Sequence, residues 1–194
     1  MKLSEILFPN EITSALRDFF ENNNKESLRK VFSRLPKSPD GLRVYRGMKV
    51  TDKAYRALSD DVAFSREETD RNGTEYKLFR GRGMVPGPGD IQSWTTNPGV
   101  AIQFAVDPER SGEEGGEIIV VFVTETGKGG NDFAGEPGKL AQGTSREHEQ
   151  EVVSNGPVEF IGFAVSVPAD DGFFGRNPTL VNVSVLKQML LSQS

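Results

Sequence analysis

The segment Glu117-Ile-Ile-Val-Val-Phe-Val-Thr124 is an unbroken apolar run held between polar residues. It reads as the most buried strand of the chain. The first third reads instead as helical. Asn10 to Phe20 places Ile12, Leu16, Phe19 and Phe20 on one helical face, with Asn10 as a cap. Lys25 to Leu35 repeats the pattern with Leu28, Val31, Phe32 and Leu35, and Pro36 to Pro39 ends it. Residues 1–40 are therefore expected to be scaffold.

Beyond them, Leu42 to Gly47 alternates as a short strand, a helix is expected from about Thr51 to Leu58, and residues 60–90 are polar, closing in the loop Pro86-Gly-Pro-Gly-Asp90. Ile91 to Thr96 starts another strand. Asn97-Pro98 suits a helix start, with Val100, Ala101, Phe104 and Ala105 on one face. Gly127 to Thr144 holds six glycines without a period and reads as a long loop, a kind that is often functional. Glu147 to Val153, Phe160 to Val167 and Leu180 to Val185 read as further strands. No repeat or linker divides the chain, so a single domain over 1–194 is expected.

Composition narrows the chemistry. With no Cys and one His, His148, there is no disulfide framework, thiolate zinc site, cysteine nucleophile or multi-histidine metal cluster to build. A Ser-His-acid triad would have to pass through His148. Residues 1–90 carry 17 basic and 14 acidic side chains, whereas 91–194 carry 6 and 14. The first half suits anionic ligands; the acidic second half disfavours a nucleic-acid track and would better receive a cationic protein partner. No apolar run has the length of a secretory signal or a membrane span, so a soluble, cytoplasmic protein with no membrane partner is expected, as a monomer.

Three features carry possible chemistry. Arg46, at a strand end beside Gly47, offers a planar fork for phosphate or carboxylate, although such an arginine also serves as a structural ion pair. Ser93, Thr95 and Thr96 form a hydroxyl cluster where caps are common. Glu147, Glu149 and Glu151 alternate with His148 and Gln150. In an extended strand their side chains would share one side about 6.5–7 Å apart, His148 pointing away. Carboxylates so placed repel unless they meet something positive, and a pair of them can stabilise an oxocarbenium-like transition state. A solvated acidic edge strand is the plainer alternative.

In order, Val44-Tyr-Arg46, then Ser93-Trp-Thr95 with Ala101 and Phe104, then Glu149-Gln-Glu151-Val-Val resembles the Arg / Ser-Thr-Ser / Glu-x-Glu signature of mono-ADP-ribosyltransferases. The likeness is to the clade of arginine-modifying bacterial toxins and small phage enzymes, and it covers residues 42–165. It implies an α+β fold in which N-terminal helices pack on a two-sheet β-sandwich with NAD in a cleft. It also implies roles. Arg46 would hold the NAD phosphates and ribose, the Gly47 backbone would meet the nicotinamide carboxamide, and Phe104 would pack on the nicotinamide. Ser93 would orient Glu151, and Thr95 would steady the neighbouring strand. Glu151 would be the catalytic carboxylate and Glu149 would position or deprotonate an acceptor guanidinium.

The sequence departs from that signature at Trp94 and Thr95, and at Arg146, where toxins often carry an acceptor-recognising aromatic. Phe133 could supply that contact or simply anchor its loop. Glu147/Glu149 is a second possible pair; Glu149/Glu151 is preferred because an apolar strand follows Glu151 directly. The implied function is transfer of ADP-ribose from NAD, as co-substrate and without a metal, to a protein, such as a host protein, on arginine. An NAD glycohydrolase and a non-catalytic binding module on the same fold are the alternatives.

Overall fold

A computed structural model describes residues 10–71, 73–87, 90–107, 118–142, 144, 149–167 and 181–192. Among them are five α-helices and eight strands with antiparallel pairing, an α+β chain. None of these helices is long and apolar enough to cross a membrane. The chain forms two compact units, one from Met1–Val44, Val85–Asn97 and Glu125–Glu159, the other from Tyr45–Met84, Pro98–Thr124 and Phe160–Ser194.

In the first unit, α1 (Asn10–Asn22) buries Ile12, Ala15, Leu16, Phe19 and Phe20, the face its periodicity marks. Asn24 caps α2 (Lys25–Val31) by accepting from the Ser27 amide at 3.2 Å, and a 3-10 turn, Phe32–Arg34, ends the helical segment. The two helices share a core with Leu35, Ile91, Ala134, Leu140, Ala141 and Val153. Strands β4 (Gln92–Thr95), β7 (Glu151–Ser154) and β6 (Phe133–Ala134) lie in the order β4-β7-β6. The glycine-rich stretch is thus tied down: Phe133 pairs with Ser154 and its ring meets Trp94 edge-on at 5.6 Å. Gly135 (φ +102) is required there, because a Cβ would fall 1.9 Å from Leu140 Cδ1. Phe133 is an anchor, buried to 4% exposure.

The second unit takes most of β1 (Arg43–Val50), then α3 (Asp52–Asp60), β2 (Ala63–Thr69), β3 (Glu75–Met84), α4 (Pro98–Val106), β5 (Ile118–Glu125), β8 (Glu159–Val167) and α5 (Val183–Leu191). Its strand order is β2-β3-β8-β5-β1. Strand β5 is buried from Ile118 to Thr124, as its apolar run requires. One side packs Val121 and Val123 against Ile102, Leu186 and Met189; elsewhere the rings of Phe79, Phe122, Phe160 and Phe163 meet at 4.8–5.8 Å, Phe79 stacked on Phe163 and Phe160 edge-on to it.

The polar stretch after Asp60, for which no element is expected from the sequence, carries the β2-β3 hairpin, with Asp70 Oδ1 accepting from the Thr74 amide across its turn. One expectation is corrected in this unit. Val183 to Val185 belong to a helix, not a strand; Leu180 lies outside the described residues. Asn182 caps that helix by accepting from the Val185 amide, and Leu186, Met189 and Leu190 fill the core at helical spacing. Tyr76 ties hairpin to helix, its hydroxyl donating to Asp70 Oδ2 at 3.0 Å and accepting from the Asn182 amide at 2.8 Å. Burial foremost pushes this phenol above its ordinary pKa.

Candidate active site

The first unit brings together Ser93, Thr95, Glu149 and Glu151. Strands β4 and β7 run antiparallel in the register Ser93↔Val153, Trp94↔Val152 and Thr95↔Glu151. Residues opposite each other in a sheet share a face, and alternation puts Ser93 on the face of Thr95. Ser93 therefore stands diagonal to Glu151, within about 7–8 Å at the backbone, a reach that a serine and a glutamate can close. Trp94 takes the opposite face, where Nε1 donates to Ser154 Oγ at 3.2 Å and the ring meets Phe133. This side-swap explains how tryptophan fits between two hydroxyl residues.

Glu149 and Glu151 are each 1% exposed. Their buried carboxyl atoms include Glu149 Oε2 and both Glu151 oxygens, and Ser93 Oγ is buried as well. Carboxylates are seldom taken out of water without a purpose, since desolvation of a charge is costly.

The spacing expected from an unbroken strand is corrected here. Strand β7 begins at Glu151, and Gln150 before it has φ +51, the left-handed region. For a residue with a side chain that conformation costs about 1–2 kcal/mol. Side chains at 149 and 151 thus do not follow the two-residue strand period. Glu147, His148 and Arg146 lie outside the described residues.

Hydrogen bonds from the end of β4 hold the turn. Thr95 Oγ1 donates to the Glu149 carbonyl at 2.5 Å and accepts from the Asn97 amide at 3.0 Å. The Thr96 amide donates to the Gln150 carbonyl at 3.3 Å, and Thr96 Oγ1 donates to Gln150 Oε1 at 3.0 Å. Thr96 and Gln150 were not singled out as site residues by sequence. Thr96 had a signal in the hydroxyl cluster; a glutamine in the left-handed region has none.

Arg46, Gly47 and Phe104 belong to the second unit. Arg46 is half-buried on β1, with its Nε atom fully buried. A Cβ on Gly47 would fall 1.8 Å from the Ala101 carbonyl oxygen and 3.0 Å from Ala105 Cβ. Helix α4 therefore fills the space a side chain would need, and packing alone demands glycine there. Phe104, on the same helix, is half-buried beside the fully packed Ala101, Ile102 and Ala105. Gly47→Ala is expected to destabilise the protein by about 1–3 kcal/mol, measured as a shift in the urea midpoint; an unchanged midpoint would mean that α4 yields readily.

Among the described residues no group of three His, Cys, Asp or Glu side chains is placed to hold a metal. A shallow depression on α1 and α2, lined by Glu11, Ser14, Arg17, Asp18 and Lys30, contains none of the expected site residues. Compared with protein-family models, curated proteins and solved structures, the chain matches none.

Proposed function

We propose that this chain is an NAD-dependent mono-ADP-ribosyltransferase, with an ADP-ribosyltransferase-type sandwich and an NAD cleft, that moves ADP-ribose to an arginine of a target protein. The observation that carries the reading is the start of β7. Two buried carboxylates flank a held turn there, and Ser93 shares the face of Glu151.

In the proposed reaction the bond between nicotinamide N1 and ribose C1′ breaks, its electron pair leaving with neutral nicotinamide. Positive charge develops on C1′ and its ring oxygen. Glu151, oriented by Ser93, stabilises that charge more in the transition state than in bound NAD. A guanidinium nitrogen then bonds to C1′ and loses its proton to Glu149. Since arginine has a pKa above about 12, a carboxylate that both docks it and takes the proton as the bond forms is suited to the step. The resemblance assigns Arg46, with its planar fork, to the NAD phosphates and Phe104 to the nicotinamide. The acceptor is a cationic protein, such as one of a host cell, and the enzyme acts in the cytoplasm as a monomer, as a phage protein or effector.

The test is incubation of the full chain with labelled NAD, alone and with agmatine or a cell lysate. Label on agmatine and on lysate protein, with stoichiometric nicotinamide release, is the expected result. Release without any labelled acceptor would make the protein a glycohydrolase; neither release nor label would overturn the reading.

A further inference from the structure

Gln150 is one of two non-glycine residues with positive φ among the described residues, and it stands between the two proposed carboxylates. The other, Asn23, is an asparagine, a type that adopts this conformation readily. For glutamine something outside must hold it, and the contacts converge from one place. Thr96 grips Gln150 twice, through its amide and through its hydroxyl on Oε1. Thr95 grips the Glu149 carbonyl, its hydroxyl fixed in turn by the Asn97 amide. Glu151 is held differently, by the β4-β7 ladder opposite Thr95.

We infer that Thr96 is a positioning residue for the acceptor side of the reaction: by locking Gln150 in the left-handed conformation, it aims Glu149 at the incoming guanidinium without governing Glu151. This rests on the proposed function. If the hydroxyl contact is lost, residue 150 can relax toward the ordinary regions, which lie lower in energy. Glu149 then shifts relative to the strand, while Glu151 keeps its ladder bonds. Transfer should suffer; cleavage of NAD with water as acceptor should not.

Thr96→Val keeps the shape and the amide but removes the hydroxyl. Thr96→Ser restores the hydroxyl, and Gln150→Ala removes the acceptor oxygen from the other side. Each is assayed with labelled NAD for transfer to agmatine, for nicotinamide release without agmatine, and for melting temperature. One hydrogen bond of ordinary strength corresponds to a fall of about 3- to 10-fold in kcat/KM for agmatine in Thr96→Val and Gln150→Ala. Nicotinamide release stays at the wild-type level, and Thr96→Ser transfers like wild type. A proportional loss of transfer and release in Thr96→Val, or transfer unchanged in it, overturns the inference. The wild-type arm separates the two claims: a wild type that neither releases nicotinamide nor labels agmatine removes the functional reading and this one with it, whereas an active wild type with an indifferent Thr96→Val removes only this one.

Discussion

Glu151→Gln lowers both nicotinamide release and ADP-ribose transfer, by about 10²- to 10³-fold, the usual scale for removing one preorganised electrostatic contact to a developing charge. The substitution keeps the shape of the side chain and deletes only its charge. Because Glu151 is 1% exposed, the wild type holds this carboxylate at a desolvation cost. The melting temperature of the variant, read beside its activity, shows whether the charge also serves the fold. Loss of activity without loss of stability would separate a chemical role from a structural one. A fall in both together would point to a carboxylate that holds the fold.

Glu149→Gln has a different signature. Transfer to agmatine falls by about 10²-fold or more, the typical scale for a positioned general base. Nicotinamide release in the absence of an acceptor persists, because water needs no guanidinium dock. Equal losses in the two assays would place Glu149 in the NAD-cleaving step and remove its acceptor role. The geometry favours a split: Glu149 lies before the strand, beyond a left-handed residue, whereas Glu151 is fixed inside the ladder.

Much of the fold was legible wherever burial imposes a period. Ile12, Leu16, Phe19 and Phe20 mark α1, the run from Ile118 to Val123 marks β5, and Asn97-Pro98 marks the start of α4. The hairpin was not legible because β2 offers no period. Six of its seven residues are exposed, and its pairing is satisfied through the backbone of β3. Val183-Ser-Val185 misled for the opposite reason: alternating β-branched residues imitate a strand, but Asn182 caps them into a helix whose Leu186, Met189 and Leu190 pack inward.

The same division runs through the site. Ser93, Thr95 and Glu151 are named by the resemblance to a family signature, and the β4-β7 register places these three on one face. The turn at Gln150 was not nameable, since its conformation is imposed by hydrogen bonds from Thr96, more than fifty residues away. Gly47 carried a sequence signal with a second cause: the close approach it permits includes that of α4.

The central claim, that two carboxylates of one turn divide cleavage of NAD from transfer of ADP-ribose, is tested most directly by assaying wild type, Glu149→Gln and Glu151→Gln side by side for nicotinamide released and for label fixed on agmatine. Wild type should do both, Glu149→Gln should release nicotinamide with little label, and Glu151→Gln should do neither. Label transfer that survives in Glu151→Gln would contradict the account.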